Sequence, residues 1–118
     1  MREIKFRVWD NIRNVIRPKT ALAFNKEGAL LFDYETLMQY TGLKDKNDVE
    51  IYESDIIKAI WSKDCDEYIA NEEWIGDIFF NYGSFDINGE WCVSLNCFNG
   101  TLEVIGNIYE NPELLESK

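Results

Sequence analysis

No histidine occurs in the chain. That absence removes the side chain most often used for general acid–base chemistry near neutral pH. Cysteine is scarce. Cys65, Cys92 and Cys97 cannot all pair, and none stands in a Cys-x-x-Cys arrangement. A structural zinc site takes four nitrogen or sulfur ligands, so zinc is not expected. Buried reduced thiols are the expectation for Cys92 and Cys97. No apolar run approaches the roughly 20 residues of a membrane-spanning helix. The opening Met1-Arg2-Glu3-Ile4-Lys5 is charged and alternating, which is not the pattern of a secretory signal, and a cytoplasmic location is the expectation. Basic residues are missing from a long stretch: Asp64 through Ser117 holds no Lys or Arg, against twelve carboxylates.

What is present is globular composition. The 118 residues are 46% hydrophobic and 14% aromatic, with two prolines, which excludes a disordered chain. This length fits one domain, residues 1–118, and leaves too little for two comfortable cores. The net charge of −10 is unevenly spread. Residues 1–20 hold six Lys or Arg against two acids, a net +4, and residues 21–118 hold six against twenty, a net −14. A phosphate-contacting surface needs positive charge, so duplex nucleic acid is disfavoured for the C-terminal half, and the basic N-terminal hairpin alone leaves it open.

Along the chain the pattern is that of short strands. Ile4, Phe6 and Val8 alternate with Lys5 and Arg7, a half-buried strand with a basic outer face. Asp10-Asn11 supplies a turn, and Arg13 to Ile16 a return strand stopped by Pro18. Leu22 to Asn25 and Ala29 to Phe32, around Lys26-Glu27-Gly28, make a candidate hairpin. Leu37 to Thr41 reads as strand or one helical turn, with strand or irregular structure preferred. Lys44 to Asp48 is a polar turn, and Asp55 to Trp61 a strand of branched and aromatic residues. The acidic segment Ser62 to Glu73 reads as a loop. Trp74 to Asn81 resumes strand character and turns at Tyr82-Gly83-Ser84. Phe85-Asp86-Ile87 leads into Asn88-Gly89, a strong hairpin signal, with Glu90 to Leu95 returning. Asn99-Gly100 turns again, Leu102 to Tyr109 is the last strand, and Glu113-Leu114-Leu115 forms a helical turn. Strands of this length and spacing predict an all-β fold, a small barrel or sandwich.

Three blocks carry a resemblance. Arg2-Glu3-Ile4-Lys5-Phe6-Arg7-Val8-Trp9-Asp10 resembles the opening of the YopX-like phage and prophage proteins. Leu37 to Asn47, continuing through Glu50-Ile51-Tyr52-Glu53-Ser54-Asp55-Ile56-Ile57, is similar to their central signature. Glu103 to Leu115 is similar to their ending. The chain departs from the pattern at Asp48 and Ser54, where the family usually has glycine. The resemblance implies a mainly β fold, SH3-like and partly open, encoded by phages or prophages, and it carries no catalytic residues across.

The chemical constellations point the same way. Glu72-Glu73 and Asp64-x-Asp66-Glu67 are the residues that would hold Mg²⁺ or Ca²⁺ through hard oxygens, as a metal-dependent enzyme would need. The second group lacks the glycine and distant glutamate of a calcium loop and reads as a solvated acidic loop. Cys65 lies between Asp64 and Asp66, whose charge opposes thiolate formation. No cofactor and no catalytic residue is expected. Four tryptophans, Trp9, Trp61, Trp74 and Trp91, read mainly as core, with Trp9 off the Ile4-Phe6-Val8 face and expected to be partly exposed. Two interaction readings follow. In one, the acidic half meets a basic nucleic-acid-binding protein through Trp9, Asp64, Asp66, Glu67, Glu72, Glu73 and Asp77. In the other, edge strands self-associate, the basic N-terminal strand of one copy meeting the acidic half of another.

Overall fold

The computed structural model describes residues 4–19, 35–61, 73–88, 93–95, 98 and 100–116. Its strands are β1 (Phe6–Asp10), β2 (Val15–Lys19), β3 (Glu35–Lys44), β4 (Glu50–Tyr52), β5 (Asp55–Trp61), β6 (Glu73–Asn81), β7 (Ser84–Asn88), β8 (Val93–Ser94) and β9 (Gly100–Asn107), followed by one helical turn, α1 (Glu113–Glu116). They form two antiparallel sheets, ordered β2-β1-β3-β4 and β8-β7-β6-β5-β9, and one of the two curls into a half-barrel. The mainly β, partly open expectation holds. Among the described residues no helix is long and apolar enough to cross a membrane.

Each sheet has its own apolar cluster. Ile57, Ala59, Trp74, Ile78, Phe85, Ile87 and Leu95 lie under the five-stranded sheet, and Ile51 of β4 reaches into them. Strand alternation puts them there: in β6, Trp74, Gly76 and Ile78 face inward while Glu73, Ile75 and Asp77 face out. Close packing shapes this sheet at Gly76, where a Cβ would sit 2.1 Å from the Asn88 carbonyl oxygen. The four-stranded sheet buries a smaller cluster of Trp9, Met38, Tyr40 and Tyr52.

The central segment joins the two sheets. β4 pairs with β3, and the chain then turns through Glu53-Ser54 into β5 of the other sheet. Within that turn Ser54 N–H donates to the Ile78 carbonyl (2.8 Å), and the Ser54 carbonyl accepts from Ile108 (3.0 Å). The Asp45 carboxylate accepts from Asn47, Val49 and, in the other sheet, Val104 N–H, at 2.8–2.9 Å. One polar turn therefore caps itself and seals the outer edge of β9. Asp48 and Ser54, the two departures from the family glycines, have φ of 65° and 72°, the left-handed region in which glycine is at ease.

Several local expectations need correction. Pro18 lies inside β2 rather than ending it, because β2 is an edge strand and needs no N–H on its free side. Lys44 belongs to β3 and Glu73 to β6, and the last strand runs Gly100–Asn107, not Leu102–Tyr109. It stops at Asn107, whose Oδ1 accepts from Tyr109 and Glu110 N–H (3.0 and 2.9 Å) in place of the ladder. A two-residue Asn88-Gly89 turn would pair Ile87 with Glu90, yet Ile87 pairs with Val93, so the connection is three residues longer. Ile4 is exposed rather than on a buried face. The candidate hairpin at 22–32, the three cysteines, the segment 62–72 and the side chains of Trp61 and Trp91 lie outside the described residues.

Candidate functional site

β1 does not present its cations outward as a basic edge. It is an inner strand between β2 and β3. Lys5 pairs with Glu50 and lies 5.0 Å from the Tyr40 ring centre. Arg7 pairs with Asp55 at the start of β5 and stacks 4.4 Å from the Tyr52 ring centre, so it ties one sheet to the other. Arg13 and Arg17 both reach Asp10, at 2.9 and 3.2 Å. Four of the six cations that made the N-terminus look like a contact surface, Lys5, Arg7, Arg13 and Arg17, are engaged with carboxylates of the same chain.

Asp10 and Asp55, with Asp45 of the polar turn, are buried and hydrogen-bonded. Asp10 accepts from the backbone N–H of Ile12 and Arg13 (2.9 and 3.0 Å), and the Arg13 N–H first, with the Arg13 guanidinium, holds its pKa down at about 2. Asp55 accepts from Tyr52 N–H (2.8 Å) and from Arg7. Burial pushes the Asp55 carboxyl above its ordinary pKa, against the opposing pull of the Arg7 charge. Asp45 is held below its ordinary range: burial opposes ionisation, and the N–H groups of Val104, Val49 and Asn47 outweigh it. These donor sets hold the acids in place as structural groups. Charge counting passed over all three. Asp10-x-x-Arg13 and Asp45-x-Asn47 are the local signals that mark two of them, as side chains that bond backbone a few residues on.

The predicted partner-binding residues separate. Trp9 is buried, at 8% exposure, and stacks on Tyr109 with ring centres 5.5 Å apart. Its expected exposure is overturned because Val8, Trp9 and Asp10 are all buried: β1 is covered on both faces at the joint. Asp64, Asp66, Glu67 and Glu72 lie outside the described residues. Glu73 and Asp77 are brought together on the outer face of β6. Across that face, Ile75 stands opposite Lys58, and Lys58 opposite Glu103. Lys58, the one basic residue in strands β5 to β9, is 3.7 Å from Glu73, and Glu103 is 3.8 Å from Lys46 of the polar turn. Asp77 is half-buried, and burial raises its carboxyl pKa against hydrogen bonds from its own backbone and Asn88. The outer face therefore carries three carboxylates around a single strand-borne lysine. Among the described residues no three His, Cys, Asp or Glu side chains gather as a metal-binding group.

This geometry has relatives. The family model described as YopX protein matches residues 28–116. The fold is similar to that of protein EF1440 from Enterococcus faecalis, with a TM-score of 0.70 and 27% identity over 98% of this chain and 99% of that one. It is also similar to protein yopX from Bacillus subtilis, with a TM-score of 0.66 and 20% identity over 94% and 97% of the two chains. No curated protein matches the chain in sequence.

Proposed function

The chain belongs to the YopX family, a family of uncharacterised function, and on that premise we propose that it is a non-catalytic interaction protein of phage or prophage origin. It acts in the bacterial cytoplasm, and its acidic sheet meets a basic protein, of the kind that otherwise holds nucleic acid. The observation that carries this reading is the separation of charge. Lys5, Arg7, Arg13 and Arg17 are paired with carboxylates of the same chain, while residues 64–117 hold twelve carboxylates and neither Lys nor Arg. Glu73, Asp77 and Glu103 on one sheet face give that charge a place from which to meet a positive partner. The phage assignment rests on the resemblance of the three sequence blocks.

Self-association receives less support in the form expected from the sequence, because the strand that would supply the cations is an inner strand, and its Arg7 and the preceding Lys5 are paired. Sedimentation velocity with and without purified basic nucleic-acid-binding proteins tests both readings. The account expects a complex at low salt that duplex DNA displaces and high salt dissolves. Failure of every basic protein to bind at low salt rejects the main reading. A salt-sensitive homodimer in the absence of any partner favours the alternative.

A further inference from the structure

The β6–β7 hairpin runs past its own sheet. β5 last pairs with β6 at Ile56 opposite Asp77, whereas β6 continues to Asn81 paired with β7. At the tip, Tyr82 and Gly83 form a two-residue turn between Asn81 and Ser84, with φ of 48° and 87°. Turns of this kind take Asn, Asp or Gly at the first position. A tyrosine there bears the cost of a Cβ in left-handed backbone. It is fully exposed, so among the described residues its ring packs on nothing that would offset that cost.

Two neighbours extend the feature. Phe80 is 53% exposed and meets Phe85 edge-on with ring centres 5.2 Å apart. On the opposite face of the ribbon, Asp86 is 8% exposed and its carboxylate accepts from two neutral groups, Ser84 Oγ (2.9 Å) and Asn81 Nδ2 (3.1 Å). Among the described residues no cation pairs with it, and residues 73–88 contain neither Lys nor Arg. A nearly buried carboxylate held by neutral donors gains from a cation brought by another molecule. Exposed aromatic rings offer a guanidinium or ammonium group a face on which to stack.

We infer that the tip of the β6–β7 hairpin is the docking element for an arginine- or lysine-bearing segment of a partner protein, a cation stacking on Tyr82 and Phe80 while Asp86, on the other face of the ribbon, adds to the negative potential of the tip. This rests on the reading of the molecule as an acidic binder of a basic protein, and it narrows that reading from a sheet face to one ribbon.

The test titrates an oligoarginine peptide into the isotopically labelled full chain and its Tyr82→Asn variant, following backbone amide shifts and melting temperature. Asparagine suits the turn, so the variant is expected to melt at the same temperature or higher. It is expected to bind about five-fold more weakly, the loss of one cation–π contact, and wild-type shifts are expected to centre on residues 80–86. Equal binding by both proteins, with shifts spread over Glu73, Asp77 and Glu103, overturns the hairpin assignment and leaves the acidic-face reading standing. Absence of binding by either protein at low salt overturns both. A clear drop in melting temperature on Tyr82→Asn overturns the inference by making Tyr82 a structural residue.

Discussion

The two sheets of this molecule are held together by different physics. The five-stranded sheet buries an aliphatic and aromatic cluster supplied by three of its strands, by Leu95 just past β8 and by Ile51. The four-stranded sheet buries four large side chains, three of them aromatic, and adds ion pairs from Lys5, Arg7, Arg13 and Arg17 and cation–ring contacts from Lys5 and Arg7. Apolar burial carries no charge to screen or to titrate. Paired charges are sensitive to salt and pH, and in exchange they fix register and orientation. The contrast shows why a basic segment in an acidic protein need not be a binding surface: here it positions one sheet on the other.

The largest effect is expected in the apolar sheet. Ile57 is fully buried, and Ile57→Ala should cost about 4 kcal/mol from lost transfer and residual cavity. Urea denaturation should show the midpoint falling at an unchanged slope. Breaking the joint should come next. Arg7→Met leaves Asp55 buried without its cation and should cost about 3 kcal/mol near neutral pH. Its dependence on pH follows from the raised Asp55 pKa. A carboxyl whose folded pKa lies above the unfolded one favours the fold while protonated, and that contribution is lost as pH rises through the folded pKa. Removing Arg7 raises the folded value further, so the deficit should be full at neutral pH and shrink on acidification.

Asp10 behaves with the opposite sign. Its pKa is lowered from 3.8 to about 2, so its stabilisation is present above pH 3.8 and fades as pH falls toward 2. Thermal melts between those limits should show a steep acid limb, and Asp10→Asn should flatten it. The smallest effect is expected at the strained turn into β5. Ser54→Gly relieves a left-handed serine while adding chain entropy to the unfolded state, and should stabilise by no more than about 1 kcal/mol.

Strand positions were legible in β5, which is buried on both faces at its start, Asp55 to Ile57, and on one face beyond it. Asp55 to Trp61 alternates Ile57 and Ala59 inward with Lys58 and Ile60 outward, and the strand has the expected ends. Alternation misled at Trp9, because a strand covered on both faces has no outward side. It misled at Asn88-Gly89, because a favourable turn dipeptide does not set register by itself. The carboxylate excess was legible, but the shared face of Glu73 and Asp77 was not, because the sequence reads Glu73 as the end of the acidic loop and the structure makes it the first residue of β6. The partners of the cations were not, since Arg7 and Asp55 are 48 residues apart and meet only when two sheets dock. Nor was the exposed Tyr82, whose left-handed backbone is a property of the turn and leaves no mark on periodicity.

A double-mutant cycle on Arg7→Met and Asp55→Asn, read as unfolding free energy at neutral pH, most directly tests whether the N-terminal cations are committed inside the fold. The account predicts a coupling energy of about 1–3 kcal/mol between the two positions. Additivity to within about 0.3 kcal/mol would contradict it: the guanidinium would then be free to face a partner, and the basic segment would again be a surface.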